Sequence, residues 1–414
     1  MITLADTTSC TGCFSCSNAC KHEAIISSED KESFLYPSID YAKCVECGLC
    51  VKKCPQITPI DQKTFNQKAY ALISNEDRNQ SSSGGAFSVF ARYVLERKGV
   101  VFGASFFQRG ENGSLKSNFP KLTHLAIDSA SDIDALRGSK YIQSEIGSTY
   151  MEARRFLKDG RWVLFTGTPC QIAGLYAFLG KESYDKLITL DLVCHGVPSQ
   201  GYFNSYINKL KKSTPSDSGN IEGFRFRKLD SWSIVPAVKF TETKWQILNQ
   251  ENNSFMSAFF KLMTFRECCY DCQYSNMNRV GTFTIADYWG IGKEGLKFSK
   301  NVSAGVSLVI DNAGRMPAMI EELREHAYIE ERPLEEGRKH NHNLNSPSMR
   351  PQERDTAVTD MLNENISLFE YSEKYKLLDS PVVFFFKSIM KDIVYRLGLY
   401  NVYKTISYRL GRSS

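Results

Sequence analysis

Eight cysteines within the first 54 residues constrain this chain more than anything else in it. Cys10-x2-Cys13-x2-Cys16-x3-Cys20 recurs as Cys44-x2-Cys47-x2-Cys50-x3-Cys54. A tight triple run supplies three thiolates from one stretch of backbone, and a distant fourth completes the corners of a four-iron, four-sulfide cube. Where two such runs occur together, the fourth cysteine of each serves the other cube. One set is then Cys10, Cys13, Cys16 and Cys54, and the other is Cys44, Cys47, Cys50 and Cys20. The second run ends in Cys54-Pro55, whereas the first ends in Cys20-Lys21 and lacks the proline. Structural zinc is the plain alternative. It uses paired C-x2-C elements rather than triple runs with a spaced fourth thiol.

The remaining composition sets limits. At 414 residues, with 42% hydrophobic and 23% charged residues, the chain is ordinary globular material for two or three domains. A net charge of +5 is small for this length and gives no case for nucleic-acid binding. Met1–Ser9 has no basic segment followed by an apolar one, and no run of about 18 apolar residues occurs. Thirteen cysteines, an odd number, without a secretory signal read as metal ligands in a reducing, cytoplasmic setting.

Residues 1–60 form the cysteine-rich module, an α+β ferredoxin-like unit with two 4Fe–4S clusters, and residues 61–68 read as a polar linker. From Ala69 the pattern alternates. Ala69–Ser74, Val100–Phe107, Trp162–Thr166, Leu187–Val193, Thr282–Asp287 and Val306–Ile310 read as strands. Gly85–Lys98, Gln171–Leu179, Tyr202–Lys212, Phe255–Phe265 and Met316–Glu325 have helical periodicity. Residues 221–247 look like strands, and 338–356 like a polar loop. Such alternation predicts an α/β domain with a mainly parallel sheet over 69–310. Residues 311–414 then form a C-terminal extension ending in a helical tail.

Five cysteines lie outside the module. Cys170, in Gly167-Thr168-Pro169-Cys170-Gln171, follows a strand and opens a helix. Cys194, in Val193-Cys194-His195-Gly196, ends another strand. In parallel sheets those ends line the ligand crevice. Cys268 adjoins the Cys269-x2-Cys272 pair. Cys170, Cys194, Cys269 and Cys272 would make a further four-thiolate site, with Cys268 a bystander. The alternative is that Cys170 and Cys194 are packing residues, since free cysteine is often buried. His195 reads as a ligand, a proton donor or a structural residue.

Taken together, these segments resemble the coenzyme F420 hydrogenase/dehydrogenase beta-subunit family. The matching residues are Ser83-Gly84-Gly85, Gly138-Ser139-Lys140-Tyr141, Gly167–Gln171, Cys194-His195-Gly196, the Cys269/Cys272 pair and Ile285-Ala286-Asp287-Tyr288-Trp289-Gly290, in order over about residues 69–310. The resemblance implies an iron–sulfur flavin oxidoreductase that binds FAD and a third 4Fe–4S cluster, at Cys170, Cys194, Cys269 and Cys272, within the α/β domain. Ser83, Gly84 and Gly85, opening a helix, would suit a phosphate. Lys140 would pair with a phosphate or the flavin ring, and Gly167 and Thr168 lie at the same crevice. Lys140 and His195 are the candidate catalytic residues. Gly290-x-Gly292-x-x-Gly295 matches the dinucleotide fingerprint, but no helix is predicted after it, and a lone match is weak.

Electrons would pass between a ferredoxin or another redox protein and an organic substrate or deazaflavin. Two other classes stand beside this one: an electron-transfer subunit of a larger complex, and a scaffold in surface-polysaccharide biosynthesis. The tail over 387–412 carries six basic residues (Lys387, Lys391, Arg396, Lys404, Arg409, Arg412) against Asp392 alone. Interleaved with Phe384, Phe385, Phe386, Ile389 and Tyr400, they suit a peripheral membrane contact or a helix packed on protein.

Overall fold

The computed structural model describes residues 2–60, 66–180, 182–215, 219–229, 232–241, 243–249 and 252–378. The basic aromatic tail therefore lies outside the described residues. In the N-terminal module, α1 (Ser15–Ala19) and α2 (Leu49–Lys52) are short turns of helix, each directly after a cysteine loop. Each starts from a left-handed residue, Phe14 and Gly48. Strands β1 (Ile25–Glu29) and β2 (Leu35–Ile39) form an antiparallel hairpin between the two loops. The internal repeat thus becomes two cysteine loops related across one hairpin.

The rest begins with β3 (Lys68–Ser74), α3 (Ala86–Glu96) and β4 (Val100–Ser105). A small hairpin, β5 (Phe107–Arg109) and β6 (Leu115–Ser117), leads to β7 (Thr123–Ile127), α4 (Ile133–Leu136) and α5 (Thr149–Lys158). Then come β8 (Val163–Gly167), α6 (Pro169–Leu179), β9 (Leu187–Leu192) and α7 (Gln200–Ser213). A three-stranded sheet, β10 (Ile221–Arg225), β11 (Ala237–Phe240) and β12 (Gln246–Ile247), precedes α8 (Ser254–Phe260). Next are β13 (Phe283–Asp287), β14 (Ser307–Asp311), α9 (Met316–His326) and β15 (Ala327–Arg332), followed by α10 (Leu334–Lys339), α11 (Arg354–Leu362) and α12 (Leu368–Lys374).

Eight strands make one sheet, in the order β15-β3-β14-β13-β9-β8-β4-β7. Val163–Gly167 is buried throughout and Leu187–Leu192 nearly so, which explains why both are predominantly apolar, Thr189 and Asp191 excepted in the second: both faces are covered. The sheet is mixed, which corrects the expectation of a mainly parallel one. Pairs β4/β8, β8/β9 and β9/β13 are parallel, while β13/β14, β14/β3, β3/β15 and β4/β7 are antiparallel. A parallel neighbour needs a crossover, usually a helix. Residues 288–306 cross between β13 and β14 through turns alone, so β14 returns antiparallel. Helix α9 carries the chain past β3, and β15 closes the edge.

Elements of this sheet layer that were not legible in sequence include β7, α4, α5 and β15. The edge strand Ala327–Arg332 carries Glu330 and Glu331, charges that blunt an exposed edge and, with the buried Arg332, mask the strand pattern. The sheet therefore runs past residue 310. Of the expected 338–356 loop, α10, a 3-10 turn at His342–Leu344 and the start of α11 are ordered helix. Among the described residues no helix is long and apolar enough to cross a membrane.

Candidate functional site

The chain gathers its cysteines into three groups. In the first, Cys10, Cys13 and Cys16 are buried and close enough to act on one another electrostatically, and Cys54 acts on all three. Burial pushes the Cys13 thiol up to about 12 and raises that of Cys16 well above its ordinary value. Backbone N–H groups of Gly12, Ser15 and Ser17 point at Cys10, Cys13 and Cys16 respectively. The hydroxyl of Ser15 is buried without a hydrogen-bond partner among the described residues. Crowded, buried thiols with N–H donors aimed at sulfur, plus an orphaned hydroxyl, are the surroundings a thiolate-ligated cluster needs. In the second group, Cys20 and Cys44 act on Cys50, while Cys47 is exposed.

The third group forms at the carboxyl ends of the parallel strands. Thr168 caps α6: its N–H donates to Gln171 Oε1 at 3.0 Å, and Pro169 occupies the first turn. That turn sets Cys170 at the helix start, with Thr168 Oγ1 3.1 Å from its sulfur. Cys194 follows β9. Cys269 and Cys272 come from a loop pinned to the sheet by the fully buried Arg279–Asp191 pair at 2.8 Å. Asp191 also accepts from the N–H groups of Val280 and Gly281. Cys194, Cys272 and Cys269 all act on Cys170. Burial raises the thiols of Cys170, Cys194 and Cys272, while the Cys268 thiol donates to Cys269 and lowers it. Among the described residues, no three of His, Cys, Asp or Glu converge tightly enough for a single ion.

Above this group lies a cavity of about 290 Å³. Ser83, Gly85, Lys140, Gly167, Thr168, Cys170, Cys194 and His195 all line it. Two segments distant in sequence meet at its wall, where Ser139 N–H donates to Ser82 Oγ at 2.9 Å. Gly85, at φ 91°, precedes α3 and brings no capping side chain of its own, while the first N–H, of Ala86, donates to Ser307 Oγ at 3.3 Å. Gly84 is not part of the lining. A Cβ there would lie 2.1 Å from the Leu72 carbonyl oxygen and 2.3 Å from Ser307 N, so glycine is required for the turn to pack on β3 and β14.

Lys140 Nζ donates to the carbonyls of Leu136 at 2.6 Å and Arg137 at 2.9 Å, and burial pushes its ammonium down to about 7. His195 is exposed at the cavity and its carbonyl accepts from Ser348 Oγ at 2.7 Å. Gly290, Gly292 and Gly295 sit in turns, not before a helix; Gly292 N–H donates to Glu336.

Sequence reasoning missed Arg227, which lines the cavity and pairs with Asp287 at 2.7 Å; Trp232 Nε1 donates to the same carboxylate at 2.6 Å. Only the alternation Phe224-Arg225-Phe226-Arg227 hinted at an inward-facing side chain.

The module and the larger domain meet directly on α6. A Cβ on Gly174 would lie 2.9 Å from Cys13 Cβ and 3.1 Å from its sulfur. Gly174 is one helical turn from Cys170. Tyr150 and Tyr274 each feel both Cys13 and Cys170. Asn18 Nδ2 donates to the Gly147 carbonyl at 2.8 Å, and Lys53 Nζ to that of Phe178 at 3.0 Å.

Comparison with known proteins follows these two units. Residues 9–58 match the 4Fe-4S dicluster domain, and residues 160–337 match the family described as the C terminus of the coenzyme F420 hydrogenase/dehydrogenase beta subunit. No curated protein matches the chain. A chain of the solved F420-reducing NiFe hydrogenase complex from Methanosarcina barkeri overlaps at 14% identity, over 76% of this chain and 91% of that one, with a TM-score of 0.42. The chain thus joins a 4Fe-4S dicluster domain to a segment similar to the C terminus of the coenzyme F420 hydrogenase/dehydrogenase beta subunit, an iron–sulfur electron-transfer module beside an oxidoreductase-related one.

Proposed function

We propose that the chain is an iron–sulfur flavoprotein oxidoreductase, exchanging electrons with a ferredoxin or similar carrier and acting on an organic substrate or deazaflavin. Three four-thiolate sites would hold clusters: Cys10/Cys13/Cys16/Cys54, Cys44/Cys47/Cys50/Cys20 and Cys170/Cys194/Cys269/Cys272. Ser83, Gly85, Lys140, Gly167 and Thr168 would hold FAD in the cavity. When bound, the clusters supply one-electron transfer and the flavin supplies hydride chemistry. The observation that carries this reading is the placement of the third cysteine group. It lies between the cavity and the N-terminal module, with Cys170 and the Cys13 contact on one helix.

The chain's own residues set the terms. The α3 N-terminus offers N–H donors suited to a phosphate, with Ser83, whose hydroxyl donates to the Val306 carbonyl at 3.0 Å, beside it. Lys140 adds a cation that is charged below about pH 7. Replacing it, as Lys140→Met, is expected to weaken FAD binding about tenfold at pH 6, the loss of one charge-assisted hydrogen bond. In the parent, affinity should fall as pH rises through about 7, because the ammonium loses its proton there. Equilibrium dialysis across that range checks both; a parallel fall in the methionine variant would remove Lys140 from the site.

The family description as a beta subunit favours a second reading, an electron-transfer subunit active only within a complex. The deciding measurement is iron, sulfide and flavin content of protein purified without oxygen. About twelve iron atoms and one FAD per chain support the proposal. About eight iron atoms and no flavin would leave only the N-terminal clusters and overturn it.

A further inference from the structure

Arg266 is fully buried. Its Nη1 donates to the Cys10 carbonyl at 3.2 Å, its Nη2 to that of Leu35 at 2.5 Å, and its Nε to Gln143 Oε1 at 3.1 Å. The guanidinium lies 4.1 Å from the ring centre of Tyr36 and 5.0 Å from that of Phe34. Other deeply buried arginines here have carboxylate partners: Arg279 with Asp191, Arg332 with Glu336, Arg354 with Glu32. Arg266 has none among the described residues. A buried, unpaired cation is expensive unless something anionic balances it. A cube held by four thiolates is a net anion, and reduction adds one more negative charge.

The same residue belongs to two sites at once. Its side chain sits on the Cys10 loop, while its carbonyl accepts from Cys269 N–H at 2.9 Å. We propose that Arg266 is the residue that sets the direction of electron flow. It is a fixed positive charge shared by the Cys10 and Cys269 sites but not by the Cys44/Cys47/Cys50/Cys20 site, and it holds the first two at higher reduction potential. This rests on the reading that those sites hold clusters. The charge acts on Cys10, Cys268 and Cys269, whereas the groups acting most on Cys50 are its own turn's N–H groups, Cys20 and Cys44.

A reduced one-electron carrier protein gives one electron at exposed Cys47 and is itself oxidised by one. That electron moves inward to the Arg266 side, with no bond made and no proton moved.

The test is an EPR-monitored redox titration of the full chain. In Arg266→Gln the higher midpoints should fall while the lowest stays put. At a fixed potential the reduced-to-oxidised ratio of the affected clusters drops at least about tenfold, or 59 mV for one electron. Arg266→Lys, which keeps the charge, should stay near the parent. If Arg266→Gln does not assemble, Gln143→Glu neutralises the guanidinium in place and should give the same fall. Unmoved upper midpoints, or all midpoints falling together, overturn the proposal. Parent protein without clusters would instead overturn the function proposed above.

Discussion

Cys170→Ser is expected to remove about four iron atoms per chain and leave about eight, those of the N-terminal module. Cys170 is the residue of its group held in the first turn of a long α-helix, Cys269 ending only a short 3-10 turn, so no backbone shift brings another thiol into its position. Serine keeps the volume and the contact with Thr168, so the α6 turn should survive, and any iron loss reports ligation rather than misfolding. Iron and acid-labile sulfide assays on anaerobic protein check this. Unchanged iron would return Cys170 to the role of a packing residue.

The second large effect is expected at Gly174. In an exposed helix, replacing glycine gains stability, because glycine costs about 1 kcal/mol relative to alanine. Here the sign should reverse. A Cβ would lie 2.8 Å from the Tyr150 hydroxyl and 2.9 Å from Cys13 Cβ. Tyr150 is fully buried and its hydroxyl donates to the Gln171 carbonyl at 2.7 Å, so it has no room to yield. Gly174→Val should cost about 3 kcal/mol through overpacking. Because the clash falls on Cys13, cluster content in the module should drop with it. A variant that melts with the parent and keeps its iron would show that the two units are not in register on α6.

What the sequence disclosed follows how local each feature is. The module's cysteines announce themselves because a cube takes three ligands from one tight loop. Cys269 and Cys272 are legible for the same reason, as a spaced pair. Most strands that place Cys170 and Cys194 were legible because burial on both faces leaves predominantly apolar runs. Long-range features were not. Arg227 reaches the cavity from a separate small sheet. Gly84 looked like a ligand-binding glycine, yet its missing side chain makes room for Leu72 and Ser307. The mixed order of the sheet depends on which links carry helices over which strands, and β15, masked by its charges, gave no sign that it would return to pair with β3.

The seam between the two units has a consequence for how the chain can be divided. Arg266 relies on the carbonyls of Cys10 and Leu35, and Arg354 places Nη1 2.6 Å from Glu32. Both cations belong to the large domain, and these partners belong to the module. Cutting the chain in the 61–68 segment would strand two guanidinium groups beneath a newly wetted face and uncover Gly174 and Tyr150. The N-terminal module is therefore less an appended plug than a wall of the larger domain, and neither half is a natural unit for exchange with another protein.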